Sequence, residues 1–217
     1  MNECDVKAFE AYYGEILPML KQGEAFLLNL IGEYPIRETK DGIQPILYTK
    51  SRIKSPKSME EKLKRKGECP DIRKSFPNIH DIIGIRVICS FVEEAYRVEE
   101  WLKTRKGIRI IEKKDYIAYP KQNGYRSLHL IVAFTTEKWE GFTAEIQIRT
   151  IAHDFWAVLE HQMKYKKDVE HEALIQSELK RCADEIASLD VSLQTIRDII
   201  RDDNWEEKTL DIYLCRV

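Results

Sequence analysis

Hydrophobic positions recur along the chain at two different periods, and the change of period divides it. From 3 to 31, Phe9, Tyr12, Tyr13, Ile16, Leu20, Leu27 and Leu30 fall near helical spacing, with Pro18 expected to kink the helix or split it in two. Residues 32–49 carry Gly32, Pro35, Gly42 and Pro45 and read as a loop. Ser55-Pro56 supplies a cap and a first-turn proline for a short basic helix over 57–66, stopped by Gly67. From residue 82 the pattern turns to β-branched runs. Ile82 to Cys89, Ile108 to Ile117, Leu128 to Phe134 and Phe142 to Arg149 read as strands. Between the first two, residues 93–106 place Tyr96, Val98, Trp101 and Leu102 on an amphipathic helix that ends near Gly107. Residues 151–165 read as helix. Residues 172–201 hold Leu174, Leu179, Ile186, Leu189, Leu193, Ile196 and Ile200 close to a 3.6-residue period, so a long helix or helical pair is expected. Helices, then a sheet of four or more strands with one inserted helix, then helices again predict a single α/β or α+β domain.

Composition narrows the class. At 217 residues, 43% hydrophobic and 33% charged, the chain is long enough for a core of its own and too charged for a membrane bundle. No run approaches the roughly 20 apolar residues of a membrane span. The acidic start, Met1 to Asp5, lacks the basic residues of a secretory signal. Cys4, Cys69, Cys89, Cys182 and Cys215 are odd in number and form no CxxC pair, so neither a disulfide framework nor a zinc site is expected. A reducing cytoplasm is the simplest home. Cys89, in an apolar run, reads as core.

The net charge of −2 conceals an asymmetry. Residues 50–167 hold 25 Lys/Arg against 16 Asp/Glu, while residues 1–49 and 168–207 are net acidic. A basic middle attracts phosphates, on nucleotides or on nucleic acid. It opens with Arg52 and Lys54, followed by Ser58, Lys62 and Arg65, which a helix would place on one face. That cluster reads either as a solvated face or as a polyphosphate clamp; GxxxxGK[ST] and GxGxxG are both absent. On the last strand, alternation sets Glu145, Gln147 and Arg149 on one face, either facing solvent or flooring a cleft. Asp81 stands at the mouth of the first strand. It is a turn residue, or it joins Glu145 in holding one Mg²⁺, which asks for one or two carboxylates. Asn123-Gly124 marks a turn that delivers Tyr125 to a strand start, where an aromatic ring either packs or stacks on a nucleobase. His129 is a satisfied strand histidine or a phosphate or ribose contact. His153 and His161 are eight apart, without the HExxH spacing, and are not expected to bind metal.

In order along the chain stand Ser51-Arg52-Ile53-Lys54, His80-Asp81-Ile82-Ile83-Gly84-Ile85-Arg86, Asp115-Tyr116-Ile117, Asn123-Gly124-Tyr125-Arg126-Ser127-Leu128-His129, Ala144-Glu145-Ile146-Gln147-Ile148-Arg149-Thr150 and Asp154-Phe155-Trp156-Ala157 followed by Glu160-His161. Taken together they resemble the small alarmone synthetases, the single-domain (p)ppGpp synthetases of the RelA/SpoT superfamily, and look closer to the RelP-like than to the RelQ-like branch. The resemblance spans residues 50–165.

It implies an α+β fold: a nucleotidyltransferase-like mixed β-sheet of about five strands, a catalytic core over 50–165 with helical regions at 1–49 and 166–217. It implies transfer of the β,γ-pyrophosphate of ATP to the 3'-hydroxyl of GDP or GTP, with release of AMP. Carried over by motif, Arg52, Lys54, Lys62, Arg65 and Arg86 face ATP and Ser58 supports that site. Asp81 holds Mg²⁺, and Glu145 shares the metal or deprotonates the 3'-hydroxyl. Tyr125 stacks on guanine, while Lys121, His129, Gln147, Arg149 and Asp154 position the acceptor. A cytoplasmic homotetramer built through the helical ends is implied, and RNA binding is left open. The 81 residues before Ile82 leave no room for the hydrolase domain of longer relatives, so synthesis without hydrolysis is expected. Ile83 and His153 stand where Ala and Met are common. Two alternatives remain at this point: the same transfer to an adenosine nucleotide or a tRNA 3' end, and a non-catalytic nucleotide- or RNA-binding regulator.

Overall fold

The computed structural model describes residues 3–35, 42–69, 78–139, 141–164 and 171–201. Of the expected C-terminal region, residues 166–170 and 202–217 lie outside the described residues. The N-terminal helix is divided as its proline suggests: α1 (Glu3–Tyr13) gives way to a 3₁₀ turn at Gly14–Ile16 and then to α2 (Leu17–Gly32). The break falls at Gly14, whose φ of 53° suits a residue without a side chain. Pro18 sits in the first turn of α2, where an N–H has no intrahelical partner to lose. The short basic helix α3 (Pro56–Lys66) is capped at both ends. Ser55 Oγ accepts from the Ser58 amide at 3.3 Å, and Gly67 closes the last turn in the left-handed conformation.

Five strands follow one another as β1 (Ile46–Ile53), β2 (Ile83–Cys89), β3 (Ile108–Asp115), β4 (Leu128–Phe134) and β5 (Thr143–Thr150). Helix α4 (Val92–Lys103) lies between β2 and β3, and α5 (Ile151–Lys164) and α6 (Glu172–Arg201) follow β5. The sheet order is β1-β2-β5-β4-β3. Only β2 and β5 run parallel; the other three pairings are antiparallel. The mixed five-stranded sheet with flanking helices agrees with the expected α+β class. One expectation is corrected: the loop read over 32–49 ends sooner, because β1 begins at Ile46. β1 is an edge strand, largely exposed on both faces, so it carries no clean alternation of apolar residues for the eye to find. Its pairing with β2 makes it a strand.

Strand alternation gives the sheet two unlike faces. On one, Ile83, Ile85 and Val87 of β2, Leu128, Leu130 and Val132 of β4, and Ala144, Ile146 and Ile148 of β5 are buried in the main core. Helices α2 and α4 cover this face with Leu20, Leu27, Ala95, Val98 and Leu102. α2 approaches closely at Gly23, where a β-carbon would lie 3.1 Å from Ile83 Cδ1 and 3.2 Å from Phe134 Cζ. Cys89 belongs to this core, and burial pushes its thiol pKa up, which removes it as a nucleophile. The opposite face carries Tyr48, Lys50 and Arg52, then Gly84 and Arg86, then Glu145, Gln147 and Arg149, then His129, each set in register with the next. No helix among the described residues is long and apolar enough to cross a membrane.

The cap of α3 is open to a direct test. Ser55→Ala is expected to cost about 1 kcal/mol and to lower the melting temperature by about 2–4 °C, as read by thermal denaturation.

Candidate active site

A cleft of about 260 Å³ opens on the polar face of the sheet, lined by Lys50, Ser51, Arg52, Asp81, Gly84, Ile85, Arg86, Glu145 and Gln147. The parallel ladder between β2 and β5 builds its floor. It sets Gly84 beside Glu145 and Arg86 beside Gln147, and the antiparallel ladder from β1 adds Arg52 beside Gly84 and Lys50 beside Arg86. Asp81 precedes β2 at the end where β5 also starts, so the two carboxylates that the sequence separates widely share one cleft.

Asp81 is held by two lysines from different elements. Lys54 Nζ lies 2.7 Å from Oδ2 and Lys62 Nζ 2.6 Å from Oδ1. Burial alone would push this carboxyl up, but the two ammonium groups outweigh it and hold Asp81 below the usual carboxylate range. Lys54 is fixed in turn at the end of β1, where its carbonyl accepts the Tyr13 hydroxyl at 2.6 Å and its amide donates to the Ile82 carbonyl at 2.8 Å. Lys62 is aimed by α3, where it flanks the buried Met59 and Leu63 that anchor the helix.

Glu145 is gripped at both oxygens. His129 Nδ1 lies 2.9 Å from Oε1, and Gln147 Nε2 donates to Oε2 at 2.8 Å. Here too burial raises and partners lower; His129 and Gln147 win, so Glu145 stays ionised below its ordinary value. No group of three or more His, Cys, Asp or Glu among the described residues makes a closed metal cage. Two ionised carboxylates facing one cleft are nonetheless the hard-oxygen donor set that Mg²⁺ takes, with waters and phosphates completing its shell. Each of the four carboxylate oxygens uses one lone pair on its protein partner and keeps another.

Beyond the carboxylates the arginines are organised by Asp154, buried at the start of α5. Arg86 Nη1 and Arg149 Nη1 lie 3.3 and 3.5 Å from its Oδ1, and the Tyr48 hydroxyl donates to Oδ2 at 3.2 Å. Tyr125 has its hydroxyl 2.9 Å from His129 Nε2 and 3.0 Å from Arg149 Nη2. The Lys121 ammonium stands 4.6 Å from the Tyr116 ring centroid and 4.9 Å from that of Tyr125, a cation–π arrangement at the lip of the site. The turn that carries Lys121 and Tyr125 is pinned to α6. Gly124, at φ 86°, approaches so closely that a β-carbon would fall 2.5 Å from that of Ala183, and Arg126 Nη2 reaches Asp184 at 3.2 Å.

Most of the residues singled out from the sequence therefore meet in one place: Arg52, Lys54, Lys62, Asp81, Arg86, Glu145, Gln147, Arg149, Asp154, His129, Tyr125 and Lys121. Two stand apart. The Ser58 hydroxyl accepts from Ser55 Oγ at 2.9 Å within the cap of α3, and Arg65 is exposed in the last turn of that helix; neither lines the cleft. His153 is buried away from solvent, and burial lowers its pKa to about 4, so it packs as a neutral ring. Sequence reasoning missed Tyr48, Lys50 and Tyr116. For Tyr48 and Lys50 the signal was there, since Tyr48, Lys50 and Arg52 alternate, but it shows only once β1 is recognised as a strand.

The chain is similar to proteins already known. Residues 51–170 match the family model described as the region found in RelA / SpoT proteins. Over 159 residues the chain is 46% identical to the GTP pyrophosphokinase YwaC of Bacillus subtilis, covering 72% of this chain and 76% of that one. It is 32% identical over 206 residues to GTP pyrophosphokinase YjbM of the same organism, covering 91% and 92%. Among solved structures, small alarmone synthetase 1 of Bacillus subtilis bound to its product pppGpp superposes with a TM-score of 0.76 at 31% identity, over 89% of this chain and 100% of that one.

The Asp81 pairing has a pH signature. Its pKa is depressed by folding, so the stability it adds is present above the unfolded carboxylate pKa and is lost as pH falls through the folded value. Lys62→Met is expected to lower the melting temperature at pH 7, and the gap from the parent protein is expected to narrow on acidification to about pH 3, where the unfolded carboxyl is already protonated. Thermal melts of both proteins across that range read it.

Proposed function

The chain belongs to the RelA/SpoT family and is a GTP pyrophosphokinase, and we propose how its cleft carries that reaction. The observation that supports the reading is the pairing of Asp81 and Glu145 in one cleft rimmed by Lys50, Arg52 and Arg86, with Lys54 and Lys62 behind Asp81. Those cations receive the triphosphate of ATP, while Tyr125 and Lys121 receive the guanosine acceptor. Glu145 takes the proton of the 3'-hydroxyl. The 3'-oxygen bonds to the β-phosphorus of ATP as the bond from that phosphorus to the oxygen bridging the α-phosphorus breaks, and AMP leaves with the bridging oxygen. Such a transfer needs positioning and charge neutralisation more than covalent catalysis. Asp81 and Glu145 are the residues that would hold Mg²⁺, which supplies charge neutralisation on the phosphates when bound. Arg52 and Arg86 offset charge gathering on the transferred group and on AMP.

The helical ends support assembly. On α6 the residues Leu189, Leu193, Ile196 and Ile200 are exposed at spacings of four, three and four, and on α5 Ile151, Phe155, Leu159 and Met163 are exposed on one side. We take these stripes as the contact between copies of the chain, in a homotetramer.

Three outcomes are expected. With labelled ATP, Mg²⁺ and GDP, GTP, ADP or tRNA in separate tubes, the parent protein releases AMP and 3'-pyrophosphorylates the guanosine nucleotides; transfer only to ADP or tRNA would overturn the acceptor. Asp81→Asn and Glu145→Gln each lower turnover by about 10²- to 10⁴-fold while far-UV circular dichroism stays unchanged. In light scattering, Leu193→Glu combined with Phe155→Glu is expected to reduce the mass to that of a monomer.

A further inference from the structure

Asp154 receives a side chain from each of three strands. It stands in the first turn of α5, directly after β5, against the row in which Tyr48, Ile88 and Arg149 are neighbours across β1, β2 and β5. Arg86 of β2 donates to its Oδ1 at 3.3 Å, Arg149 Nη1 of β5 lies 3.5 Å from the same oxygen, and the Tyr48 hydroxyl of β1 donates to Oδ2 at 3.2 Å. The two guanidinium groups are not held alike. Arg149 is 2% exposed, and its Nη2 also donates to Gln147 Oε1 at 2.7 Å and to the Tyr125 oxygen at 3.0 Å. The Arg86 side chain is 32% exposed, and among the described residues its guanidinium hydrogen bonds to Asp154 alone, with Nε buried and unpartnered. A shift of Asp154 therefore falls on Arg86. Arg86 lines the cleft with Lys50 and Arg52, whereas Arg149 stays tied to Tyr125.

We infer that Tyr48 is a positioning residue for the ATP side of the cleft. Its hydroxyl fixes the rotation of the Asp154 carboxylate, and that carboxylate aims Arg86, whose remaining donors are left for the nucleotide. Its ring serves a second cation, since Lys50 Nζ stands 5.0 Å from the ring centroid. One tyrosine thus steadies both Lys50 and Arg86, two of the cations that rim the cleft. Packing contributes little to its place here, because Tyr48 lies on the edge strand and is 37% exposed. A single carboxylate opposite two guanidinium groups leaves the cluster net positive, so Arg86 is oriented without losing its pull on phosphates. The inference rests on the reading that Lys50, Arg52 and Arg86 receive ATP.

Titration calorimetry with α,β-methylene-ATP and Mg²⁺ tests it without turnover. Tyr48→Phe, which removes one hydroxyl and keeps the ring, is expected to weaken binding of the analogue by about 3- to 10-fold. Tyr48→Leu, which also removes the ring beside Lys50, weakens it further, by about 10- to 30-fold. In steady-state kinetics the KM for ATP rises in both variants while that for GDP is little changed. Because the hydroxyl acts through Arg86, Tyr48→Phe made in an Arg86→Met background has no further effect on the analogue. A merely structural role would persist in that background and would raise both KM values. Far-UV circular dichroism checks that each variant is folded, and Tyr48→Phe carries the test should Tyr48→Leu be destabilised. Undiminished binding of the analogue by Tyr48→Phe, or a KM for GDP raised as much as that for ATP, would overturn the inference alone. Arg86→Met that binds the analogue as the parent protein does would overturn the reading of the ATP side, and the inference with it.

Discussion

The parallel ladder between β2 and β5 is the constraint on which the site depends. Antiparallel neighbours can be joined by a short turn, but parallel ones need a crossover. Here the crossover consists of α4, β3 and β4, so that β5 arrives beside β2 only after the rest of the sheet has been laid down. Because the two strands run the same way, their starts coincide, and Asp81 and Glu145 come to one end of the sheet. Sliding β5 by one residue would turn Glu145, Gln147 and Arg149 into the apolar core and expose Ala144, Ile146 and Ile148. The hydrophobic face thus fixes the register, and the register places the chemistry.

Electrostatics in the cleft follow from that placement. Two carboxylates that burial would protonate are kept ionised by their partners: Asp81 by hydrogen bonds and charge from Lys54 and Lys62, Glu145 by the hydrogen bond and electrostatic pull of His129 and by the Gln147 amide. A carboxylate between two ammonium groups suits the neighbourhood of phosphates, where the same lysines can serve both.

Helix α6 supports the site from outside. Ala183 and Asp184 hold the turn that carries Lys121 and Tyr125, while Asp190 accepts from Thr150 at 2.5 Å at the junction of β5 and α5, and Arg197 Nη2 reaches Glu93 at 2.6 Å at the start of α4. Its other side bears the exposed apolar stripe. The element that steadies the turn carrying Lys121 and Tyr125 is therefore the one that faces a second copy of the chain in the proposed assembly.

The sequence by itself determined the local elements wherever one force ruled. Apolar runs named β2 to β5, the 3.6-residue stripe named α6 from 172 to 201, and Ser55 with Gly67 bounded α3 to within a residue. The ordered motifs named the family, and with it most of the residues that converge. Tertiary structure decided what no local force encodes. β1 is a strand because β2 offers it hydrogen bonds, not because its residues alternate in burial. Ser58 serves the cap of α3 because Ser55 is the partner within reach. His129 comes to lie against Glu145 because β4 pairs with β5 in one register. Which strands pair, and in which register, depends on the burial of the whole sheet. Contacts between residues distant in sequence are settled there and cannot be read from either segment alone.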